Sequence, residues 1–436
     1  MDSERAEKSW IPFRKGLTKA EFGWVMYDWA NSGYVMIIMT VIATMFFMEA
    51  AQRSGLESAE ASAYWALTST VVMIILGVLA PIIGTLCGYK GKKKKLFVFF
   101  AVVGMVATVA LSFVPERMWF LMLAVYAVSG IGFSGGNKIY DTFIVDVTEN
   151  KKMNWLSSLA YGYGYIGGAI PFILCIPLVV LVEMGTLDMD IMLAYRISFV
   201  VAVVWWLLFT IPMFKDVKQK YGTEVEPHYV RMSFSRVWST FKEIATQKHL
   251  IIFLVAFFLY SDGVGSIIRL AVAYGETINL GAMTLMMVLL VTQFVAFPFA
   301  ILYGKLASKY GAKVMIYVGI FTYCVVCLVA LFMNPDRDIR TLTIMFWTLG
   351  MLVGTAQGGI QALSRSYFGQ IIPKEKSNEY FGFYNVFSRF ATILGTTIYA
   401  VIVLITDQPH IGIAGIALLF IISAVVFKFV PSDKVE

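Results

Sequence analysis

Charged side chains are scarce in this sequence. Lys, Arg, Asp and Glu make up 14% of the 436 residues, whereas an average soluble domain has about 25% charged residues. Hydrophobic residues make up 59%, and the mean hydropathy is +0.75. This composition excludes an ordinary soluble domain and predicts an all-α integral membrane protein that crosses the bilayer many times.

Patterns that bind metals or carry out catalysis are also lacking. The three histidines and four cysteines are His228, His249, His410, Cys87, Cys175, Cys324 and Cys327. No histidine has a partner at a ligand spacing, and the cysteines lie in or beside apolar runs, where no nearby charge favours the thiolate. No nucleophile, base and orienting residue stand together in a recognisable motif. We therefore expect no metal and no cofactor, and an enzyme is the least favoured class.

The sequence contains a series of long apolar runs instead. A helix that crosses a bilayer needs about 20 apolar residues, and twelve such runs are bounded by charged or turn residues. They are approximately Phe22–Met48, Tyr64–Leu86, Leu96–Val114, Trp119–Val145, Trp155–Val182, Ile191–Phe214, Leu250–Val272, Met283–Leu302, Val314–Met333, Leu342–Leu363, Tyr380–Ile405 and Ile411–Val430. Twelve transmembrane helices are therefore predicted.

The basic residues predict the orientation of these helices. If both termini are cytoplasmic, most of the 35 Lys and Arg residues fall in the termini and the cytoplasmic loops, as the positive-inside rule requires. The run Lys92–Lys95 then serves as a stop signal that suits contact with anionic membrane lipids. The net charge of +7 is thus explained without nucleic acid.

The longest polar stretch divides the runs into six and six. The predicted domains are an N-terminal six-helix bundle at 1–214, a cytoplasmic linker at 215–249 and a C-terminal six-helix bundle at 250–436. Within the linker, apolar residues recur at helical spacing, which predicts an amphipathic helix at the membrane surface. They are Phe234, Val237, Trp238, Phe241 and Ile244. A tether between the bundles is favoured over a partner-binding helix.

The first predicted span contains an acid. Tyr27, Asp28 and Asn31 are spaced i, i+1, i+4, so a helix places them on one face. A carboxylate inside a span costs free energy unless it faces protein or water, and such residues mark substrate or ion pathways. The alternative is an interfacial Asp within an aromatic belt that includes Trp24 and Trp29.

Other predicted spans also contain polar side chains. They are Lys138 and Asp141 in the fourth, Asp262 and Arg269 in the seventh, Gln357 and Gln361 in the tenth, and Asn385 and Arg389 in the eleventh. A structural ion pair is as good an explanation for Lys138 with Asp141 as a substrate site, and interhelical hydrogen bonds are the alternative for the glutamines. Gly263 and Gly265 favour a softened or broken seventh helix. We predict that these residues, with Tyr27, Asp28 and Asn31, line a substrate and proton pathway.

The two halves share a loop pattern. Residues 84–93 and 304–313 both fit G-x-L-x-x-x-x-G-x-K, in equivalent positions after the second and eighth spans. The fourth and tenth spans also match at their Gly-Gly pairs, Gly135–Gly136 and Gly358–Gly359. Six plus six helices in parallel repeats are the architecture of major facilitator transporters.

These loops resemble the major facilitator signature, and four blocks point to one branch. Residues 27–32, 164–168, 358–366 and 381–385 resemble the autophagy-related vacuolar amino-acid effluxers and their bacterial relatives. Gly88 and Ser308 replace the usual loop Asp, so the gate attributed to that Asp is not carried over. Asp141 stands where the branch more often has an amide, which puts coupling or specificity in doubt.

The resemblance implies secondary active transport of a small solute, an amino acid. We expect alternating access driven by a proton gradient, with Asp28 as the first candidate for protonation, because desolvation favours the neutral acid. Gating is expected at the loop glycines and at the end of the tenth span: Gly84, Gly91, Gly304, Gly311 and Arg365. An amino acid needs an anionic partner for its ammonium, such as Asp28, Asp141 or Asp262, and a cationic one for its carboxylate, such as Arg269 or Arg389. The short loops favour the plasma membrane of a bacterium, and a monomer is expected.

Two alternatives stay open. One is a different cargo in the same fold, such as a drug-like cation or a lipid. The other is a non-transporting receptor or assembly factor built on a transporter scaffold, against which the short terminal tails argue.

Overall fold

The computed structural model describes residues 16–224, 229–390 and 393–430. The first eight α-helices are α1 Lys19–Tyr34, α2 Ile42–Arg53, α3 Ser58–Gly88, α4 Lys92–Leu111, α5 Trp119–Thr142, α6 Ile144–Val147, α7 Asn150–Glu183 and α8 Ile191–Asp216. The others are α9 Tyr229–Thr246, α10 Lys248–Thr277, α11 Ala282–Tyr310, α12 Ala312–Leu331, α13 Ile339–Ile371, α14 Ser377–Phe390, α15 Ile393–Thr406, α16 Pro409–Gly415 and α17 Ala417–Lys428. A π-helix, Val35–Val41, joins α1 to α2, and a 3₁₀ turn, Lys374–Lys376, precedes α14.

Twelve helical segments in the described ranges are long and apolar enough to cross a membrane. The twelve predicted spans are therefore confirmed. The first consists of α1, the π-helix and α2, the eleventh of α14 and α15, and the twelfth of α16 and α17. Helix α9 lies in the segment for which an amphipathic helix was predicted.

The first span begins with a capping box. Thr18 Oγ1 accepts a hydrogen bond from the Glu21 N–H at 3.2 Å, and Glu21 Oε2 accepts one from the Thr18 N–H at 2.9 Å. These bonds satisfy backbone donors that the first turn of a helix leaves unpaired. The span is not one regular helix as predicted, because the π-helix interrupts it. In that stretch Thr40 Oγ1 donates to the carbonyl of Val35 at 2.8 Å.

By their internal contacts the residues form two compact units. The first comprises residues 1–148, 163–230 and 375–378, and the second comprises 149–162, 231–374 and 379–436. Within the first unit α4 packs along α5 and α1 along α8, and within the second α11 and α12 pack along α13 and α10 along α17. The first residues of α7 thus group with the second unit, whereas the predicted boundary assigned the whole fifth span to the first half.

The repeated loops have a common backbone feature. Gly91, before α4, has φ +73°, and Gly311, before α12, has φ +91°. A residue with a Cβ rarely adopts these angles, which explains why both halves have glycine at this position of the pattern.

An exposed ion-pair cluster joins several elements at one end of the first unit. Arg53 bonds Glu49 at 2.8 Å, Glu116 at 3.1 Å and Asp190 at 2.8 Å. Asp190 also caps α8 by accepting from the Met192 N–H at 3.1 Å. The hydrogen bond from Arg53 holds the pKa of the Asp190 carboxyl below its ordinary value. Because these side chains are exposed, the cluster adds little stability.

Candidate functional site

Asp28 lies in α1 where this helix meets α7. Its side chain is half-buried, and its carbonyl accepts a hydrogen bond from Ser32 Oγ at 2.8 Å. The closest approach is at Gly167, where a Cβ would lie 2.4 Å from the Trp29 carbonyl oxygen. A Cβ at Gly164 would lie 3.4 Å from the carbonyl oxygen of Asp28. Small residues of α7 therefore hold the backbone that carries the acid.

Tyr27 belongs to a buried aromatic cluster. Its ring centroid lies 4.8 Å from that of Tyr140 and 4.9 Å from that of Phe97, and its side chain has no exposed surface. Trp24 stacks on Tyr140 at 4.9 Å, and its indole N–H donates to the Tyr140 carbonyl at 3.1 Å. Trp24 and Tyr27 thus pack within the first unit in this conformation, and Tyr27 does not line an open path.

Asn31 is the most direct sign of a ligand near Asp28. Its side chain is 3% exposed, and its Nδ2 has no hydrogen-bond acceptor among the described residues. A buried donor that lacks a partner costs about 1–3 kcal/mol. Because Asn31 follows Asp28 by three residues on the same helix, a solute or water that pairs with one is within reach of the other.

Helix α5 carries the other charged pair of the first unit. Lys138 and Asp141 are both half-buried, one turn apart, and each interacts with other groups. Tyr140, between them in sequence, turns into the aromatic cluster. The ion-pair and substrate-site interpretations of Lys138 and Asp141 both stand.

Asp262 is fully buried, and backbone groups hold its carboxylate. Its Oδ2 accepts from the Leu394 N–H at 2.9 Å, and its Oδ1 from the Gly395 N–H at 2.6 Å and from Ser266 Oγ at 3.3 Å. The acid therefore caps the first turn of α15, where a negative charge is favourable. Arg269, two turns further along α10, is exposed, so the structure does not bring these two predicted residues together.

Helix α10 is continuous through its two glycines, Gly263 and Gly265, so the helix is not broken there. A Cβ at Gly263 would lie 2.6 Å from the Phe420 ring. That glycine therefore allows α17 to pack closely.

The polar residues of α13 differ in their surroundings. Gln357 is buried and lines an apolar cavity of about 100 Å³ whose wall also includes Thr292 and Gln293. Gln361, one turn later, is half-buried. The cavity lies within the second unit and provides an apolar space with a polar edge.

Arg365 is 2% exposed and binds the beginning of α7. Its Nε donates to Ser157 Oγ at 3.0 Å, its Nη2 donates to the Ser157 carbonyl at 3.3 Å, and its guanidinium carbon lies 4.6 Å from the Tyr161 ring centroid. Nearby, Ser366 Oγ donates to Asn154 at 2.7 Å. The end of α13 is thus fixed to α7 by several polar contacts within the second unit.

In α14, Asn385 is 2% exposed, and its Oδ1 finds no donor in the described part of the chain. The side chain of Arg389, the other polar residue predicted in this span, lies outside the described residues.

The signature loop contains a buried ion pair that sequence reasoning missed. Lys93 and Asp146 are in direct contact, and both side chains have no exposed surface. Lys93 Nζ also donates to the Thr142 carbonyl at 3.0 Å, and Asp146 Oδ1 accepts from the N–H groups of Lys220 and Tyr221 at 2.8 and 3.0 Å. Lys93 was part of the repeated pattern, but nothing in the sequence around Asp146 marked that acid as its partner.

The comparisons with known proteins agree with this architecture. A model of the family described as "Vacuole effluxer Atg22 like" matches residues 58–436. This chain belongs to that family. A Bacillus subtilis relative named "Uncharacterized MFS-type transporter YxiO" is 45% identical over 419 residues, which cover 96% of each chain. Autophagy-related protein 22 of Kluyveromyces lactis is 24% identical over 347 residues, 73% of this chain and 68% of the relative.

Solved structures support the same fold at low identity. The proton:xylose symporter XylE superposes with a TM-score of 0.69 at 10% identity, covering 95% of each chain. FucP, in the outward conformation, gives a TM-score of 0.67 at 13% identity, covering 97% of this chain and 99% of its own. The Atg22-like chain is thus a major facilitator transporter, with twelve candidate membrane spans in the residues that the structure describes. Asp28 and Asn31 precede the residues that the family model matches.

Proposed function

We propose that this Atg22-like transporter moves an amino acid across the membrane by alternating access, driven by a proton gradient. The observation that carries the proposal is the acid and amide pair of α1. Asp28 is half-buried, and Asn31 has a buried donor with no acceptor among the described residues. Polar groups inside a span are costly unless they face protein or water, and such groups mark substrate or ion pathways. The amino-acid cargo rests on the relatives named autophagy-related protein 22 and on the vacuole effluxer family.

The acidic residues divide into two groups by their surroundings. Asp28 and Asp141 are the candidates for the ammonium of the solute and for proton exchange, since both are half-buried. Asp262 is assigned a structural role, because backbone N–H groups occupy both of its oxygens. Arg389 and Arg269 are the candidates for the carboxylate, and Asn385, Gln357, Gln361 and Lys138 complete the polar set. The proposed location is a bacterial plasma membrane, with both termini cytoplasmic. The protein is proposed to be a monomer surrounded by lipid.

Transport by purified protein in liposomes tests this function. Radiolabelled amino acids are offered with and without an imposed pH gradient, and we expect gradient-dependent uptake of some of them. Counterflow of another solute with no amino-acid signal would contradict the proposed cargo. The absence of any flux from folded protein would contradict transport itself.

Asp28→Asn is expected to abolish the proton dependence of uptake. The substitution keeps the shape of the side chain but removes the charge that a proton or an ammonium would bind. Loss of one hydrogen bond to a charged group is worth about 1.5–3 kcal/mol, so the initial rate should fall about tenfold or more. Asp188→Asn, in the exposed loop between α7 and α8, is the matched control. Wild-type uptake with unchanged pH dependence in Asp28→Asn would refute the assignment.

We propose that Arg365 latches α7 to α13 and that Gly91 and Gly311, between helices, allow the helices to move. Gly84 and Gly304, which were expected in the loops, lie instead within α3 and α11 near their ends. Arg365→Ala removes the bonds to Ser157 and the contact with Tyr161. The population in which α7 and α13 separate should then increase. Ser158 is fully buried beside this latch, so a Ser158→Cys reporter measures the change.

A water-soluble maleimide should label Ser158→Cys about tenfold faster when Arg365→Ala is also present, since about 1.4 kcal/mol shifts an equilibrium by that factor. Arg365→Lys keeps the charge near Tyr161 but not the planar fork, and an intermediate rate is expected. The parent protein, whose own cysteines are mostly buried, provides the background. Equal labelling rates for Ser158→Cys alone, with Arg365→Ala and with Arg365→Lys would argue against a latch.

A further inference from the structure

The polar face of α9 contacts the beginning of α14 within the second unit. Arg236 Nη2 bonds Glu379 Oε1 at 2.8 Å, and Thr240 Oγ1 donates to the same carboxylate. The hydroxyl of Tyr380 donates to Glu243 Oε1 at 3.0 Å. Glu379 and Thr240 are buried, so these polar contacts are shielded from solvent.

The opposite face of α9 is aromatic and uncovered. Trp238 is 60% exposed and Phe241 46% exposed, and their rings stack at 5.5 Å. Lys242 Nζ lies 5.5 Å from the Trp238 ring centroid, and the next position on this face, Ala245, is exposed. Phe241 also approaches Phe383 of α14 at 6.0 Å, so the aromatic surface continues onto the eleventh span.

Apart from Ile244, which is buried, this arrangement is the reverse of an amphipathic helix on a soluble protein. Such a helix turns its apolar stripe to the core and its charges to water. Here Arg236 and Glu243 face the protein, and Trp238 and Phe241 face away from it. The outer surroundings of α9 must therefore be apolar for this sequence to be stable.

The chemistry of the outward face matches a lipid surface. Tryptophan favours the membrane–water interface, and lysine extends its charge from an apolar surface towards water. In the described side chains of α9, residues 235–246, the acid Glu243 lies on the other face, so the outward charge is that of Lys242. Lys248, directly after the helix, is exposed as well. Cations at such positions are attracted to an anionic leaflet.

We propose that α9 lies in the membrane interface, with Trp238 and Phe241 among the lipids and Lys242 against anionic phospholipid headgroups. Its polar face meanwhile holds Glu379 and Tyr380 at the start of the eleventh span. The linker is therefore a lipid-binding element that connects headgroup charge to α14.

Fluorescent labels on the full-length protein in vesicles test this placement. Trp238→Cys and Ser239→Cys are labelled separately with an environment-sensitive dye. Ser239 is the matched control because it is exposed on the same helix, one residue along. The fluorescence of the dye is quenched in one measurement by nitroxides attached to the lipid acyl chains and in another by nitroxides dissolved in water. If the apolar face is buried roughly 5–10 Å deep in the interface, lipid nitroxides should quench the fluorescence of the dye at 238 about threefold more than that of the dye at 239.

The contribution of charge is measured with Lys242→Gln in vesicles of phosphatidylcholine alone or with about 30 mol% phosphatidylglycerol. The anionic lipid should increase lipid quenching at 238 in the parent, and Lys242→Gln should remove most of that increase. Equal quenching at 238 and 239 by the water-soluble nitroxide would overturn the lipid site. Energy transfer between dyes on separate copies would identify a second copy of the chain as the occupant instead, and indifference to phosphatidylglycerol would overturn the headgroup contact.

Discussion

Lys93→Met alone is expected to destabilise the transporter strongly. The pair with Asp146 is fully buried, and removing one partner of a buried ion pair costs about 3–5 kcal/mol, because the other charge remains without compensation. At roughly 2–4 °C per kcal/mol for a domain of this size, the unfolding temperature in detergent should fall by about 10 °C.

The double variant Lys93→Met/Asp146→Asn makes the test specific. It leaves no unpaired charge, and the Asn oxygen can still accept from the N–H groups of Lys220 and Tyr221. We therefore expect it to unfold at a higher temperature than Lys93→Met. Lys90→Met is the matched control on the same loop, because its partner Glu224 is exposed and such pairs contribute about 0–1 kcal/mol. Equal unfolding temperatures for Lys93→Met and Lys90→Met would contradict the importance of the buried pair.

Gly167→Ala is expected to disrupt the contact that holds Asp28. The new methyl group would lie 2.4 Å from the Trp29 carbonyl oxygen and 2.6 Å from its Cα, so α1 and α7 must separate. Overpacking of this kind costs about 1–3 kcal/mol or more. We expect a lower unfolding temperature and loss of uptake.

Gly164→Ala is the graded control on the same helix. Its methyl group would meet Ser32 Oγ at 2.9 Å, and that hydroxyl can rotate away. Thermal unfolding and uptake should therefore change much less than in Gly167→Ala. If both variants behaved alike, the close approach at Gly167 would not explain the need for glycine there.

Hydropathy was sufficient for the spans because the bilayer fixes their length and every span must be apolar. Spacing along one helix also predicts which residues share a face, as for Asp28 and Asn31. Contacts between residues that are distant in the sequence could not be predicted. Nothing in the local sequence links Asp146 to Lys93 or Asp262 to the first turn of α15, because these contacts depend on how separate helices pack.

Glycines were a second source of error. Gly263 was read as a point of weakness, but it makes room for Phe420 in a continuous helix. In the fifth span, the closest approach is at Gly167, to the Trp29 backbone. Residue type indicates that a glycine is needed, whereas the neighbour that requires it appears only in three dimensions.

The π-helix at Val35–Val41 changes how positions in the first span relate to one another. A π-turn bonds i to i+5 and takes up one more residue than an α-turn. At 3.6 residues per turn, one additional residue rotates everything beyond it by about 100°. The helical spacing that places Asp28 and Asn31 on one face of α1 therefore points to a different face when it is extended into α2. A relative with a regular first helix would align with this chain through a one-residue gap inside 35–41.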